Sequence, residues 1–140
     1  MQKMSDAHLH PIRVYYEDTD AAGIVYYANY LRFAERARTE MLRQMGHPHQ
    51  ALIEGEGLAF AVRRCAADYR RPAKLDDLLD VETRLIEIGR ASLDLEQDVR
   101  RGDDLLVAME VKLACIDSRL KPARIPDGLR QALLTFKRGS

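Results

Sequence analysis

Tryptophan is absent from the 140 residues, and cysteine occurs only as Cys65 and Cys115. Two widely separated cysteines form neither a disulfide framework nor a Cys-based zinc site. Both sit in apolar strand-like runs and read as small buried side chains. Charge of one sign is also missing: 22 Lys and Arg balance 22 Asp and Glu, for a formal net charge of zero. A nucleic-acid binder carries a basic excess, so no nucleic-acid partner is expected. Local arginine clusters can still hold a small phosphorylated ligand. No apolar run approaches the about 18 residues of a membrane span. The segment Met1 to His10 is polar, without the apolar stretch of a secretory signal. No stable membrane insertion and a cytoplasmic location are therefore expected. There is no Gly-x-Ser-x-Gly elbow, phosphate loop or dinucleotide fingerprint, and no internal repeat.

What remains is an ordinary globular chain, 46% hydrophobic, with length for one core. Residues 1–10 read as a flexible tail and residues 11–140 as a single domain. Pro11 opens a short strand in which Ile12, Val14 and Tyr16 alternate with Arg13 and Tyr15. From Tyr27 the apolar residues Tyr30, Leu31, Ala34, Met41 and Met45 recur at helical spacing, with Gly46 and Pro48 placed to stop the helix. After Gly57 the period changes to two. Four strands follow, around Leu58–Val62, Leu79–Leu85, Leu93–Val99 and Val107–Cys115, the last three separated by turns at Gly89-Arg90 and at Arg101 to Asp104. Short links favour antiparallel neighbours. Asp127 is placed to cap a final short helix through Leu129, Leu133 and Phe136. The predicted fold class is α+β: an antiparallel sheet wrapped around one long helix, with an exposed edge that favours self-association.

The chemistry concentrates between Tyr15 and Tyr30. Here an acidic turn, Glu17-Asp18-Thr19-Asp20, runs into Gly23 and the start of the helix. A helix start offers unpaired N–H groups and a partial positive charge. A carboxylate beside such donors can act on a carbonyl whose oxygen they hold. Asp18 and Asp20 are both candidates for a general base or nucleophile, and both are equally suited to tying the turn or capping the helix. Gly23 permits close backbone approach to a ligand. Five of the six tyrosines lie within the first thirty residues, suited to lining an acyl or aryl pocket or to packing. Arg63-Arg64, Arg70-Arg71 and Arg100-Arg101 lack a phosphate-loop context and read as surface charge; Arg90 with Ser92 follows a turn. The His8/His10 and His47/His49 pairs lack an accompanying carboxylate cluster, and no metal is expected.

The stretch Tyr16-Glu17-Asp18-Thr19-Asp20-Ala21-Ala22-Gly23-Ile24-Val25-Tyr26-Tyr27-Ala28-Asn29-Tyr30, followed by Phe33-Ala34-Glu35-Arg36-Ala37-Arg38-Thr39-Glu40 and by Tyr69 to Asp77, resembles the hotdog-fold acyl-CoA thioesterases. It is most similar to the Tol–Pal-associated, YbgC-like type and next to 4-hydroxybenzoyl-CoA thioesterase. The resemblance spans about Ile12 to Pro126. It implies a hotdog fold, an acyl-CoA substrate, no cofactor, and a homodimer with active sites at its interface, often paired into a homotetramer. It further implies that Asp20 is the catalytic carboxylate and that the Tyr27 backbone N–H holds the carbonyl oxygen. Tyr16 matches a tyrosine implicated in the Tol–Pal-type members. Tyr27 stands where those members often have histidine and where the hydroxybenzoyl-CoA enzyme has tyrosine. Gly23, Arg90 and Ser92 are the expected substrate-binding positions. Two other readings stay open: a non-catalytic acyl-ligand binding module on the same scaffold, and a hotdog hydratase, for which the Asp/His pair is missing.

Overall fold

Helix α1 (Asn29–Gln44) buries Tyr30, Phe33, Ala34, Ala37, Met41 and Leu42, the stripe that a 3.6-residue period places on one face. Gly46, at φ +85°, takes the left-handed conformation that ends it, and the His47 N–H bonds back to the Leu42 carbonyl. In the computed structural model, which describes residues 7–138, the apolar face of α1 lies on a five-stranded antiparallel sheet. The strands are β1 (Ala7–Arg13), β2 (Ala59–Tyr69), β3 (Leu78–Ile88), β4 (Ser92–Arg101) and β5 (Asp104–Ile116), in the spatial order β1-β3-β4-β5-β2. Leu79, Val81, Leu85, Leu93, Leu95, Val99, Val107, Met109, Val111 and Leu113 fill the core face. Their alternation with charged residues is the period-two pattern of a sheet covered on one side. Helix α3 (Asp127–Lys137) adds Leu129 and Leu133. Among the described residues no helix is long and apolar enough to cross a membrane.

Several local expectations are corrected. The first strand begins at Ala7, inside the expected tail, and ends at Arg13. Backbone pairing along the β3 edge, from Ala7 opposite Arg84 to Arg13 opposite Leu78, orders this polar segment, which side-chain alternation did not reveal. Residues 1–6 of that tail lie outside the described residues. Tyr15 and Tyr16 belong to a 3-10 turn (Tyr16–Asp18), not to a strand. Asp127 is the first residue of α3, preceded by Pro126; its carboxylate pairs with Arg124 at 3.0 Å and caps nothing. Cys115 is buried as expected, but Cys65 is exposed because β2 is a sheet edge. Between α1 and β2 the chain makes a short helix α2 (His49–Ala51) and a π-helical turn over Leu52–Glu56, both too short to show a hydrophobic period.

Two polar anchors join helix to sheet. The buried Gln97 of β4 donates to the Ala34 carbonyl of α1 at 3.0 Å and to Thr83 Oγ1 at 2.9 Å. On β1, buried His8 bonds through Nε2 to Gln44 at 3.0 Å, while its Nδ1 has no partner among the described residues. A proton added at that nitrogen would be an unsatisfied buried donor. Burial accordingly pulls the His8 pKa below its ordinary 6.5. The unfolded chain thus binds the proton more readily between the folded pKa and about 6.5. Stability is expected to fall as pH drops below about 6.5 and to level off, for this group, beneath the folded pKa. Urea midpoints at several pH values should show a shallower slope in His8→Phe; a slope equal to that of the wild type rules this account out.

Candidate active site

Two carboxylates in the acidic turn have opposite surroundings. Asp18 is buried, with one oxygen accepting the Tyr15 N–H at 2.8 Å and the other the Asn29 side-chain amide at 2.9 Å. Its backbone carbonyl also accepts the Tyr26 N–H at 3.0 Å. Asp18 therefore ties the turn to the first residue of α1, and both oxygens are occupied. Asp20 is exposed. Its Oδ1 accepts the Ala22 N–H at 2.8 Å, which fixes the side chain, and among the described residues Oδ2 has no partner. Of the two, only Asp20 can present a carboxylate oxygen to another molecule.

The turn is held as a small hairpin. Thr19 bridges Val25, the Asp20 N–H donates to the Ile24 carbonyl at 2.9 Å, and the Gly23 N–H donates to the Asp20 carbonyl at 3.0 Å. Gly23, at φ +81°, supplies the left-handed residue this reversal needs. It therefore shapes the hairpin six residues ahead of α1 and does not stand at the helix start, as the sequence suggested. Tyr26, Tyr27 and Ala28 follow as a turn before Asn29. Among the described residues no acceptor takes the Tyr27 N–H, whereas the neighbouring Tyr26 and Asn29 N–H groups are both bonded.

The floor beneath the turn comes from the link between β2 and β3. Val14 exchanges backbone hydrogen bonds with Asp76 and Asp77, and the Val25 N–H donates to the Ala73 carbonyl at 2.9 Å. The buried Tyr30 hydroxyl accepts the Ala73 N–H at 2.9 Å. Asp77 accepts from the Lys74 N–H and from Arg101, both at 2.8 Å. Burial pushes its carboxyl pKa up, but the Lys74 and Arg101 bonds prevail and hold it below the usual range. Beside the turn lies a cleft of about 280 Å³, lined by Val25, Tyr27, Tyr30, Tyr69, Arg70 and Arg71. The Tyr27 ring meets Tyr69 edge-on at 6.0 Å, and Tyr69 meets Tyr30 at 5.8 Å. Tyr16 is 82% exposed.

The structure thus brings Asp20, Tyr27 and Gly23 into one small element, with Tyr16 close by in sequence. It does not bring Arg90 and Ser92 there within one chain. They sit in the β3–β4 turn, where the Gly89 N–H donates to the Ser92 carbonyl and the Arg90 carbonyl accepts the Ile125 N–H. That turn is the far end of β3, roughly 30 Å from Leu78 at the strand rise of about 3.3 Å per residue. The sequence reading missed Asn29 as the partner of Asp18; it counted Tyr69 only among the tyrosines suited to lining a pocket, and the structure puts that ring in the wall of the cleft. Asn29 is the first residue of α1, eleven residues beyond Asp18, and both it and Tyr69 are brought into place only by tertiary structure.

Comparison with known proteins agrees with this geometry. The family model described as thioesterase-like superfamily matches residues 14–133. The acyl-CoA thioesterase YbgC of Haemophilus influenzae is 49% identical over 128 residues, covering 91% of this chain and 94% of the relative. The acyl-CoA thioester hydrolase YbgC of Escherichia coli is 44% identical, covering 85% of this chain and 90% of the relative. A crystal structure of a probable thioesterase from Bartonella henselae superposes with a TM-score of 0.83 at 41% identity, covering 86% of this chain and 99% of the other. The chain belongs to the thioesterase-like superfamily and, within it, to the YbgC-type thioester hydrolases of hotdog fold.

Proposed function

We propose that the protein hydrolyses an acyl-CoA thioester to a free carboxylic acid and coenzyme A, with Asp20 as the reacting carboxylate. The observation that carries this reading is the pairing of an uncommitted Asp20 oxygen with an unbonded Tyr27 N–H on one rigid turn. The thioester carbonyl oxygen lies against the Tyr27 N–H, which stabilises the negative charge that develops there; one such donor is worth about 2.7–4 kcal/mol in other enzymes. Asp20 then acts in one of two ways. It attacks the carbonyl carbon, expelling the coenzyme A thiolate and leaving an acyl anhydride that water cleaves, or it takes the proton from a water that makes the attack itself. Either route returns Asp20 to its ionised form. No cofactor is required, since the thioester is already activated toward water. Tyr16, exposed in the 3-10 turn before Asp20, contacts the substrate or the leaving group.

The functional unit in this reading is a homodimer joined along β2, a free sheet edge that exposes Val62 and Tyr69. A two-fold axis across antiparallel edges sets the near end of one sheet beside the far end of the other. The partner subunit's Arg90 and the partner subunit's Ser92 thereby approach this turn and take the coenzyme A phosphates. Two such dimers form a tetramer. The same reading places the protein in the cytoplasm, with the Tol–Pal-associated members of the group. Arg90→Ala is expected to raise KM for acyl-CoA about tenfold with kcat little changed, the pattern of lost uniform binding; an unchanged KM removes Arg90 from the site.

Release of free thiol from short-chain, long-chain and aromatic acyl-CoAs tests the reaction. Turnover of any of them supports it. Tight binding of the esters with no thiol released turns the reading to a non-catalytic acyl-ligand module.

A further inference from the structure

The Tyr27 N–H and the Tyr26 carbonyl belong to one planar trans peptide, so they point in opposite directions. The Tyr26 carbonyl accepts the Asn29 N–H at 2.8 Å, which directs the Tyr27 N–H away from α1. That bond fixes a direction and not a place. The backbone bonds that follow are long: the Tyr30 N–H reaches the Tyr27 carbonyl at 3.4 Å, and the Leu31 N–H the Ala28 carbonyl at 3.2 Å. An N–H···O bond is usually about 2.9–3.0 Å long, so the first helical turn alone holds Tyr27 loosely.

Its place is set from outside the helix, by Ala73. The Ala73 carbonyl accepts the Val25 N–H at 2.9 Å, two residues before Tyr27. The Ala73 N–H donates to the Tyr30 hydroxyl at 2.9 Å, three residues after it. Ala73 and Tyr30 are both buried, so water does not compete for either bond. Ala73 is itself fixed on both sides. The Pro72 carbonyl accepts from Arg101 at 3.4 Å, and the Lys74 N–H donates to Asp77, which Arg101 also holds, at 2.8 Å each. One alanine thus grips both ends of the segment from Val25 to Tyr30. Between the two grips lies the Tyr27 N–H, which has no acceptor among the described residues. Burial pushes the Tyr30 pKa above its ordinary value of 10. The hydroxyl is therefore neutral near neutral pH, and removing it removes no charge.

We propose that Tyr30 is a positioning residue: its hydroxyl, through Ala73, places the Tyr27 N–H where the thioester oxygen gains charge. The inference rests on the hydrolysis proposed above and names a further residue on which that chemistry depends. An oxyanion donor acts over a narrow range of distance, and a misplacement of about 1 Å costs about a hundredfold in rate. The loss grows as charge develops on the oxygen, so it falls on kcat and little on KM.

Tyr30→Phe keeps the ring that lines the cleft beside Tyr69 and removes only the buried hydroxyl. It is expected to lower kcat about thirtyfold with KM within about twofold. The pH profile of the remaining activity should match the wild type, because the hydroxyl transfers no proton. Thr83→Val is the control for lost stability. Thr83 is also fully buried and accepts one bond from Gln97, which in turn accepts from Arg38. Urea midpoints of both variants are measured beside their kinetics, and Thr83→Val should keep the wild-type kcat.

A second readout is spectroscopic. Asp20→Asn retains the bound ester, and infrared difference spectra of an isotope-labelled thioester carbonyl report the bond at its oxygen as a shift to lower frequency. The shift should be present in Asp20→Asn, shrink in Asp20→Asn/Tyr30→Phe, and stay whole in Asp20→Asn/Thr83→Val. A shift that Tyr30→Phe leaves unchanged, or a kcat loss no larger than in Thr83→Val, overturns the inference and leaves Asp20 and Tyr27 their roles. A displaced pH profile overturns it too, since that would assign the hydroxyl to proton transfer. No shift in Asp20→Asn itself takes the Tyr27 N–H away from the carbonyl, and the oxyanion reading then falls together with this inference.

Discussion

Asp20→Asn is expected to lower kcat about a thousandfold while leaving the fold and the affinity for acyl-CoA nearly unchanged. The asparagine side chain has the same shape, and its carbonyl oxygen can still accept the Ala22 N–H that fixes Asp20 Oδ1. What disappears is the negative charge and basicity at Oδ2, the atom with no partner in the turn. A positioned base or nucleophile contributes about 10²–10⁴ in rate, and the Tyr27 N–H remains to give the variant a residual activity above water. The measurement is steady-state thiol release beside a urea unfolding curve. An unfolding midpoint equal to wild type with turnover reduced at least a hundredfold assigns Asp20 to the chemistry. A variant that keeps more than about a tenth of its turnover leaves no catalytic role for Asp20.

Asp18→Ala is expected to do the reverse, lowering stability first. The substitution strands the Tyr15 N–H and the Asn29 side-chain amide, two donors that now meet a buried carboxylate at 2.8 and 2.9 Å. Hydrogen bonds to a charged group are worth about 1.5–3 kcal/mol each, and buried donors left unpaired keep their desolvation cost. A total of about 3 kcal/mol lowers Tm by roughly 10 °C in a domain of this size. Activity measured well below the new Tm should fall less than in Asp20→Asn, because Asp18 touches no reacting atom in the proposed chemistry. Thermal melts of the two variants side by side give the comparison. An Asp18→Ala protein that melts like the wild type would show that the two bonds do not hold the turn.

The two aspartates also mark where sequence reasoning stops. Their spacing suits either for catalysis and either for anchoring the turn, and they are separated only by which one Asn29 reaches from the helix start. Elements carried by long periodic runs were readable: the stripe Tyr30, Ala34 and Met41 with Gly46 beyond it, and the alternations from Leu79 to Cys115. Elements held by backbone pairing were not, as the Ala7–His10 part of β1 demonstrates. Nor were the single helical turns between Pro48 and Gly57, too short to show a period. The Arg38–Gln97–Thr83 chain escaped for another reason. Its members are 59 and 14 residues apart, and a buried amide on β4 reads as one more strand residue until the helix is laid over it.

The turn that carries Asp20 is stapled to the rest of the chain by distant partners: Val14 to Asp76 and Asp77, Val25 to Ala73, and the Tyr30 hydroxyl to the Ala73 N–H. Closing loops of that length costs entropy before any contact repays it, so such contacts form late. The site is thus an outcome of global folding and not a local motif that folding later surrounds. During refolding, activity should return with the final cooperative phase and not with the earliest helical signal. A nascent chain not yet extended to residue 73 carries Asp20 and Tyr27 already, in a turn with no floor beneath it.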